Sequence, residues 1–435
     1  LKKIKQLIAR GLHLFAQDSL FRNSVYLIAS TAIMSVLGFG FWLFVAHLYT
    51  PEQVGAASAL IAVATLLGNI SLLGLDASLM RFLPASKNQS RDINTAIISV
   101  ATLAILAAAV YIFIGPIVGV AVPLIDASWE RVAFIAVIVI VAINSLTDAV
   151  FIANRRAELH TATYSALALI KLILPLVLIQ FGSMGIFAAF AFAMLGSLLL
   201  TLYLMGRFVS YRVRAKPNWH LLHKTRTYTA YNYAGRILSS VTAQVMPVFI
   251  LAHLGADRVA YFSMAWTMAN FLYIIPAAIA QSLLAEGATT PADKKHHIKH
   301  ATRLIAMVIV PIIAIALVAA PYLLHIFGAQ YSAGSTAIFQ ILAFATFFVG
   351  FNEVSNTILN IEHRSSGVVA SQLCALIVTL IAAIMLLPMG LVGMGLALLL
   401  GNMAASICHG IVFLFGLGKG SGVPKDEEYI QATSA

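Results

Sequence analysis

Apolar stretches of about 20 residues recur along the whole chain, separated by short clusters of charged residues, proline and glycine. Each stretch is long enough to cross a hydrocarbon layer about 30 Å thick as a helix. Breaks at Pro, Gly and charge clusters predict helical spans near 24–48, 53–74, 94–121, 131–153, 161–180 and 184–206. A second set follows near 228–253, 258–283, 301–320, 337–360, 367–387 and 391–416. The fold class expected is an all-α polytopic membrane protein of about 12 transmembrane helices in two pseudo-symmetric six-helix bundles. Composition agrees: 61% of the 435 residues are hydrophobic and 10% charged, against about 25% charged in soluble domains.

The first span is too long for the apolar region of a signal peptide and reads as a retained helix. Before it, Ile4, Leu7, Ile8, Leu12 and Phe15 fall at helical spacing opposite Lys2, Lys3, Lys5 and Arg10. That pattern suits an amphipathic helix lying in the membrane interface. The two cysteines, Cys374 and Cys408, lie inside apolar spans. They provide neither a disulfide framework nor a metal site.

Charge sets the expected orientation. Of the 27 Lys and Arg residues, all but four fall in the termini or in the loops after even-numbered spans. The other face keeps Arg131 and Arg258, and Lys171 and Arg236 lie inside spans. Such a bias places both termini and the basic loops in the cytoplasm, so the net charge of +11 calls for no nucleic acid. The predicted division is an N-terminal half at 1–206, a basic cytoplasmic linker at 207–227 facing lipid headgroups, a C-terminal half at 228–417 and a cytoplasmic tail at 418–435.

The halves repeat. Val45-Ala46-His47-Leu48 returns as Leu251-Ala252-His253-Leu254, an offset of 206, and both precede a short acidic turn. The same offset pairs Asn154 with Asn360 and sets Lys171 against Ile377. A parallel duplication predicts a substrate path between the halves near the midplane.

A charge at the centre of a span costs about 2.5–3.5 kcal/mol, so it marks a polar cavity or a partner. Arg236 shares a helix face with Asn232 and Gln244, and Lys171 sits amid an apolar run; these two are the candidate substrate-binding cations. Asp148 near Asn144, and Glu353 among Asn352 and Asn356, are either their salt-bridge partners or protonatable groups coupling transport to an H+ or Na+ gradient. Asn270 is a further polar candidate. Asp76 and Arg81, with Glu286 at the corresponding place in the other half, mark a candidate cytoplasmic gate. His296, His297 and His300 lie among lysines without the carboxylates or cysteines that would complete a metal site. Walker, nucleophile-elbow and H-E-x-x-H patterns are absent from the sequence, and no cofactor is expected.

The segments FRNSVYLIAS, LGFGFWLFVAHLYTPEQVGAASAL and LGLDASLMRFLP resemble the opening of polysaccharide-biosynthesis flippases of the MOP superfamily, with an echo at YAGRILSS and FILAHLGADRVAYFSMA. The resemblance implies a V-shaped fold like that of the MATE exporters. It also implies translocation of an undecaprenyl-diphosphate-linked oligosaccharide across the cell membrane, alongside polymerase or glycosyltransferase partners. In that family the central cavity is cationic, a role that Arg236 and Lys171 would fill here. The competing reading is a MATE-like cation-coupled drug exporter, in which Asp148 and Glu353 would dominate. A membrane-embedded glycosyltransferase would need a large outer loop carrying catalytic carboxylates, and the outer loops here are short.

Overall fold

A computed structural model describes residues 19–117, 127–209, 211–213, 219–287, 294–362 and 364–415. The predicted amphipathic segment at 1–17 and the tail at 418–435 lie outside the described residues, as do the side chains of Asn232, Arg236 and Glu286. The described chain is helical. The helices are α1 (Ser19–Leu48), α2 (Pro51–Ser71), α3 (Leu75–Phe82), α4 (Gln89–Ile114), α5 (Ser128–Ala153), α6 (Ala157–Val177) and α7 (Gly182–Phe208). They continue as α8 (Trp219–Leu254), α9 (Ala256–Gly287), α10 (Lys294–His325), α11 (Ala329–Ile361), α12 (Ser365–Met385) and α13 (Gly390–Phe415). Among the described residues, nine helices are long and apolar enough to cross a bilayer. Shorter apolar stretches lie at Ile33–Leu48, Ser240–Leu254 and Ile309–His325.

Local chemistry sets the helix ends. At α2, Thr50 Oγ1 accepts from the Gln53 amide at 3.4 Å and Gln53 Oε1 accepts from the Thr50 amide at 3.1 Å. This reciprocal cap, with Pro51 as first helical residue, starts α2 at the turn that the sequence had placed before the span. Between α2 and α3, Leu73 and Gly74 both take positive φ and break the chain into a short second helix.

The chain divides into two compact units, one of residues 1–229 and 247–260, the other of 230–246 and 261–435. Pro247–Ala260 thus groups with the first unit. One close approach inside that unit is specific: a Cβ on Gly55 of α2 would stand 1.6 Å from the Ala256 carbonyl oxygen, so only glycine fits. The first unit's core includes Leu60, Phe134, Ile138, Leu146 and Phe151. The second contains a cluster of Ala280, Ile309, Ile313, Val354 and Ile358. Large apolar side chains such as Ile173, Leu199, Ile381 and Leu414 point outward, as expected where the surrounding solvent is lipid.

The repeat is visible in geometry, with a change of register. His47 Nδ1 lies 2.9 Å from the Leu43 carbonyl and His253 Nδ1 3.0 Å from that of Phe249, retaining the offset of 206. Further along, α6 and α12 each have 21 residues, and Gly182 and Gly390, 208 apart, follow them at φ of 55° and 60°. Asn144 donates to the Met194 carbonyl and Asn352 to that of Asn402, again 208 apart. Two residues have therefore entered the second copy between His253 and Asn352. The equivalences drawn from sequence shift accordingly: Asn154 corresponds to Glu362, Lys171 to Thr379, and Asp148 to Asn356.

Candidate functional site

In the first unit, α6 presents His160, Tyr164 and Lys171 at spacings of four and seven, which puts them along one helix face. The helix is anchored to α1 and its end: Thr161 donates to the Tyr26 carbonyl at 2.9 Å, and Tyr49, just past α1, donates to the Pro175 carbonyl at 2.7 Å. Pro175 lies four residues beyond Lys171 and removes the amide that would have bonded the Lys171 carbonyl.

Lys171 Nζ stands 4.2 Å from the ring centre of Phe41, 5.5 Å from that of Phe190 and 5.9 Å from that of Trp42. Phe41 and Trp42 meet edge to face at 5.0 Å. Three ring faces supply the electrostatic partner that water would otherwise give, each contact contributing about 0.5–2 kcal/mol. Among the described residues, none of the ion pairs involves Lys171. An ammonium held by π-systems rather than by a carboxylate can donate N–H hydrogen bonds to an incoming anion.

Asp148 on α5 accepts a hydrogen bond from the Tyr164 hydroxyl at 2.8 Å, and the Tyr164 ring stacks on His160 at 4.3 Å. One helical turn earlier, buried Asn144 ties α5 to α7 through the Met194 carbonyl at 2.8 Å. Asn144 is thus committed to holding the bundle together. An apolar cavity of about 420 Å³ lies in the same unit, walled by Leu60, Phe134, Val137 and Phe187.

The second unit carries a different polar cluster. Asn352 on α11 donates to the Asn402 carbonyl at 3.0 Å and accepts from the Ser406 hydroxyl at 2.9 Å. His409 on α13 places Nδ1 3.3 Å from Asn352 Oδ1 and Nε2 3.0 Å from Asn356 Oδ1. Glu353 is half-buried and, one residue on, is turned about 100° around the helix from Asn352. Gln244 is half-buried on α8 and Asn270 is exposed on α9. The structure describes the backbone of Arg236, Asn232 and Glu286 but not their side chains.

On the short helix α3, Asp76 is buried in the first turn. Arg81 is half-buried in the last, with its guanidinium 5.6 Å from the Phe82 ring centre. This order of charges complements the helix dipole. Among the described residues, no group of three or more His, Cys, Asp or Glu could hold a metal ion. Tyr164, His160, Ser406, His409 and the rings around Lys171 are the components that the sequence reading did not name.

Comparison with solved structures places this architecture among MOP-superfamily transporters. The lipid II flippase MurJ in an inward closed conformation aligns with a TM-score of 0.73 and 11% identity, over 90% of this chain and 87% of that one. An inward-facing multidrug resistance MATE transporter aligns with a TM-score of 0.67 and 14% identity, over 91% and 99%. A MOP-superfamily transporter from Pyrococcus furiosus, described by the reverse polarity of its binding pocket, gives 0.59 and 16% identity, over 92% and 94%. These likenesses establish the fold. The chain has no match among curated protein sequences. The family model for polysaccharide biosynthesis proteins matches residues 20–285, more than half of the sequence, so the chain belongs to the polysaccharide biosynthesis protein family, with a fold like that of the solved transporters above.

Proposed function

We propose that this protein flips a polyprenyl-diphosphate-linked oligosaccharide from the cytoplasmic to the outer leaflet of the cell membrane, by exposing its binding residues to each side in turn. Lys171 carries this reading: it is a cation inside a span, set against Phe41, Trp42 and Phe190 rather than against a carboxylate. A diphosphate is the anion that such a lipid carrier offers, and charge-assisted hydrogen bonds are about twice as strong as neutral ones. Arg236, in α8, would supply a second cation.

The physical need is clear. Each polar group left unsatisfied in hydrocarbon costs several kcal/mol, and a sugar headgroup has many. A protein that receives the headgroup while the isoprenoid tail stays in lipid lowers that barrier without making or breaking bonds. Proton or sodium coupling through Asp148 or Glu353 belongs to the same proposal.

One observation supports a second reading, a cation-coupled exporter: Asp148 lies on the same polar track as Lys171 and is not ion-paired with it. Cells lacking the protein distinguish the two. A flippase defect accumulates lipid-linked oligosaccharide on the cytoplasmic side, read as loss of lectin labelling on intact spheroplasts and its recovery after permeabilisation. Normal surface labelling together with sensitivity to organic cations would favour the exporter.

A further inference from the structure

We infer that His409 is a proton-binding site of the second unit, and that the Asn356 carboxamide changes orientation with its protonation state. The amide orientation of Asn352 is fixed. Its nitrogen donates to the Asn402 carbonyl at 3.0 Å. Rotating that amide would bring two carbonyl oxygens face to face at the same distance. Asn352 Oδ1 must therefore point at Ser406 and at His409 Nδ1. A ring nitrogen facing a carbonyl oxygen has to carry hydrogen, so Nδ1 of His409 is N–H in every state.

Nε2 is the variable position. It faces Asn356, whose side-chain amide has no other hydrogen bond among the described residues. With Asn356 Oδ1 turned toward it at 3.0 Å, Nε2 also carries hydrogen and the ring is an imidazolium. With the amide rotated by about 180°, Asn356 Nδ2 donates to the Nε2 lone pair and the ring is neutral. Proton uptake adds one hydrogen to Nε2 and one positive charge to the cluster. The amide rotation exchanges one N–H···N bond for one N–H···O bond, so each state has its contacts satisfied. His409 is fully buried, which keeps water from substituting for Asn356.

The charged and titratable surroundings are sparse. α11 contributes Glu353, rotated from the Asn352 and Asn356 face, and the connection before α12 contributes Glu362 and Arg364. Arg364 spends its guanidinium on the Val412 carbonyl at 2.7 Å and on Glu362 at 3.2 Å. His363 lies outside the described residues. α12 contributes Cys374, whose thiol lies 3.9 Å from the Ala404 carbonyl, and α13 itself carries Cys408. The 3-10 turn at Leu387–Met389 carries no ionisable side chain. The equivalent of Asn356 in the first unit is Asp148, held by Tyr164. His409 itself corresponds to Thr201 at the offset of 208, so the proton-sensitive groups sit at different places in the two copies, a carboxyl group on α5 in one and an imidazole on α13 in the other.

That this site serves transport rests on the flippase reading, but its test does not. The full chain, 15N-labelled at histidine and reconstituted in lipid, is titrated by NMR from pH 8 to pH 4. The parent is compared with His409→Gln and Asn356→Asp. The resonances lost in His409→Gln are expected to show Nδ1–H neutral imidazole at high pH and imidazolium at low pH. In Asn356→Asp, which leaves His409 in place and offers only acceptors to Nε2, the midpoint is expected to rise by a pH unit or more. An Nε2–H tautomer at high pH would overturn the inference. So would a histidine spectrum unchanged by Asn356→Asp, which is readable even if His409→Gln fails to fold. Substrate translocation plays no part in this readout, so failure of the flippase reading would show separately.

Discussion

Asp148 and Lys171 lie in the same unit, yet the carboxylate is bonded to the Tyr164 hydroxyl at 2.8 Å while the ammonium rests against Phe41 at 4.2 Å. Neither charge cancels the other by direct contact, which is the arrangement expected of a binding site rather than of a structural ion pair. Tyr164 is what keeps Asp148 occupied. Tyr164→Phe removes the hydroxyl that donates to a carboxylate within a span, and a destabilisation of about 1–3 kcal/mol is expected, measured as a lower melting temperature of the purified protein.

Replacing Lys171 separates stability from transport. Lys171→Met keeps the length of the side chain and deletes a charge whose insertion costs about 2.5–3.5 kcal/mol. The melting temperature is expected not to fall, while translocation falls at least about tenfold, equivalent to about 1.4 kcal/mol. A parallel loss of stability and transport would identify Lys171 as a structural residue.

The aromatic cage predicts a graded effect. Phe41→Leu leaves an apolar side chain of similar bulk but removes the nearest ring face, and a loss of about 0.5–2 kcal/mol in the cation's stabilisation follows. Thermal unfolding of Phe41→Leu in the parent and in the Lys171→Met background forms a double-mutant cycle that isolates this term. Additive effects would show that the ring does not hold the ammonium.

Close helix approaches predict intolerance at two glycines. A Cβ on Gly55 would lie 1.6 Å from the Ala256 carbonyl oxygen, and one on Gly401 would lie 1.9 Å from Thr379 Oγ1. Gly55→Ala and Gly401→Ala are each expected to cost about 1–3 kcal/mol or more through overpacking. Gly38→Ala, where a Cβ meets nothing within 4 Å, serves as the control with a far smaller effect in the same thermal assay.

Beyond the end of α7, Tyr211 donates to Asn94 Oδ1, Asn94 donates to the Arg212 carbonyl at 3.1 Å, and the Arg212 amide donates to Ser90 Oγ at 3.1 Å. Burial pushes the Tyr211 phenol above its usual value of 10. Because the folded value is raised, this contribution to stability is complete below pH 10 and is lost as pH rises through the folded value. Tyr211→Phe is expected to lower stability by about 1 kcal/mol at neutral pH, and to flatten the alkaline part of the stability profile, followed by circular dichroism between pH 8 and pH 12.

Much of the fold was legible because a membrane leaves few choices: runs of about 20 apolar residues have to be helices. The Val-Ala-His-Leu repeat exposed the duplication, but two motifs could not reveal a two-residue insertion between them. Asn154 was therefore matched to Asn360 where the backbone pairs it with Glu362. Lys171 stood out as a charge in an apolar run, whereas its partners did not. Phe41, Trp42 and Phe190 look like ordinary lipid-facing or core aromatics until the fold brings three helices together. His409 is equally isolated in the last apolar stretch, so the same criterion could have found it. The pairing of Asp148 with Tyr164 depends on how α5 packs on α6, which spacing within one helix does not encode.

The most direct test of the central claim places the purified protein in liposomes. Transbilayer movement of a fluorescent polyprenyl-diphosphate oligosaccharide is measured beside efflux of an organic cation driven by a proton or sodium gradient. The account predicts that the parent protein moves the lipid-linked sugar, that Lys171→Met loses most of that activity, and that the cation is not exported. Export of the cation, with the lipid-linked sugar left in its original leaflet, would contradict it.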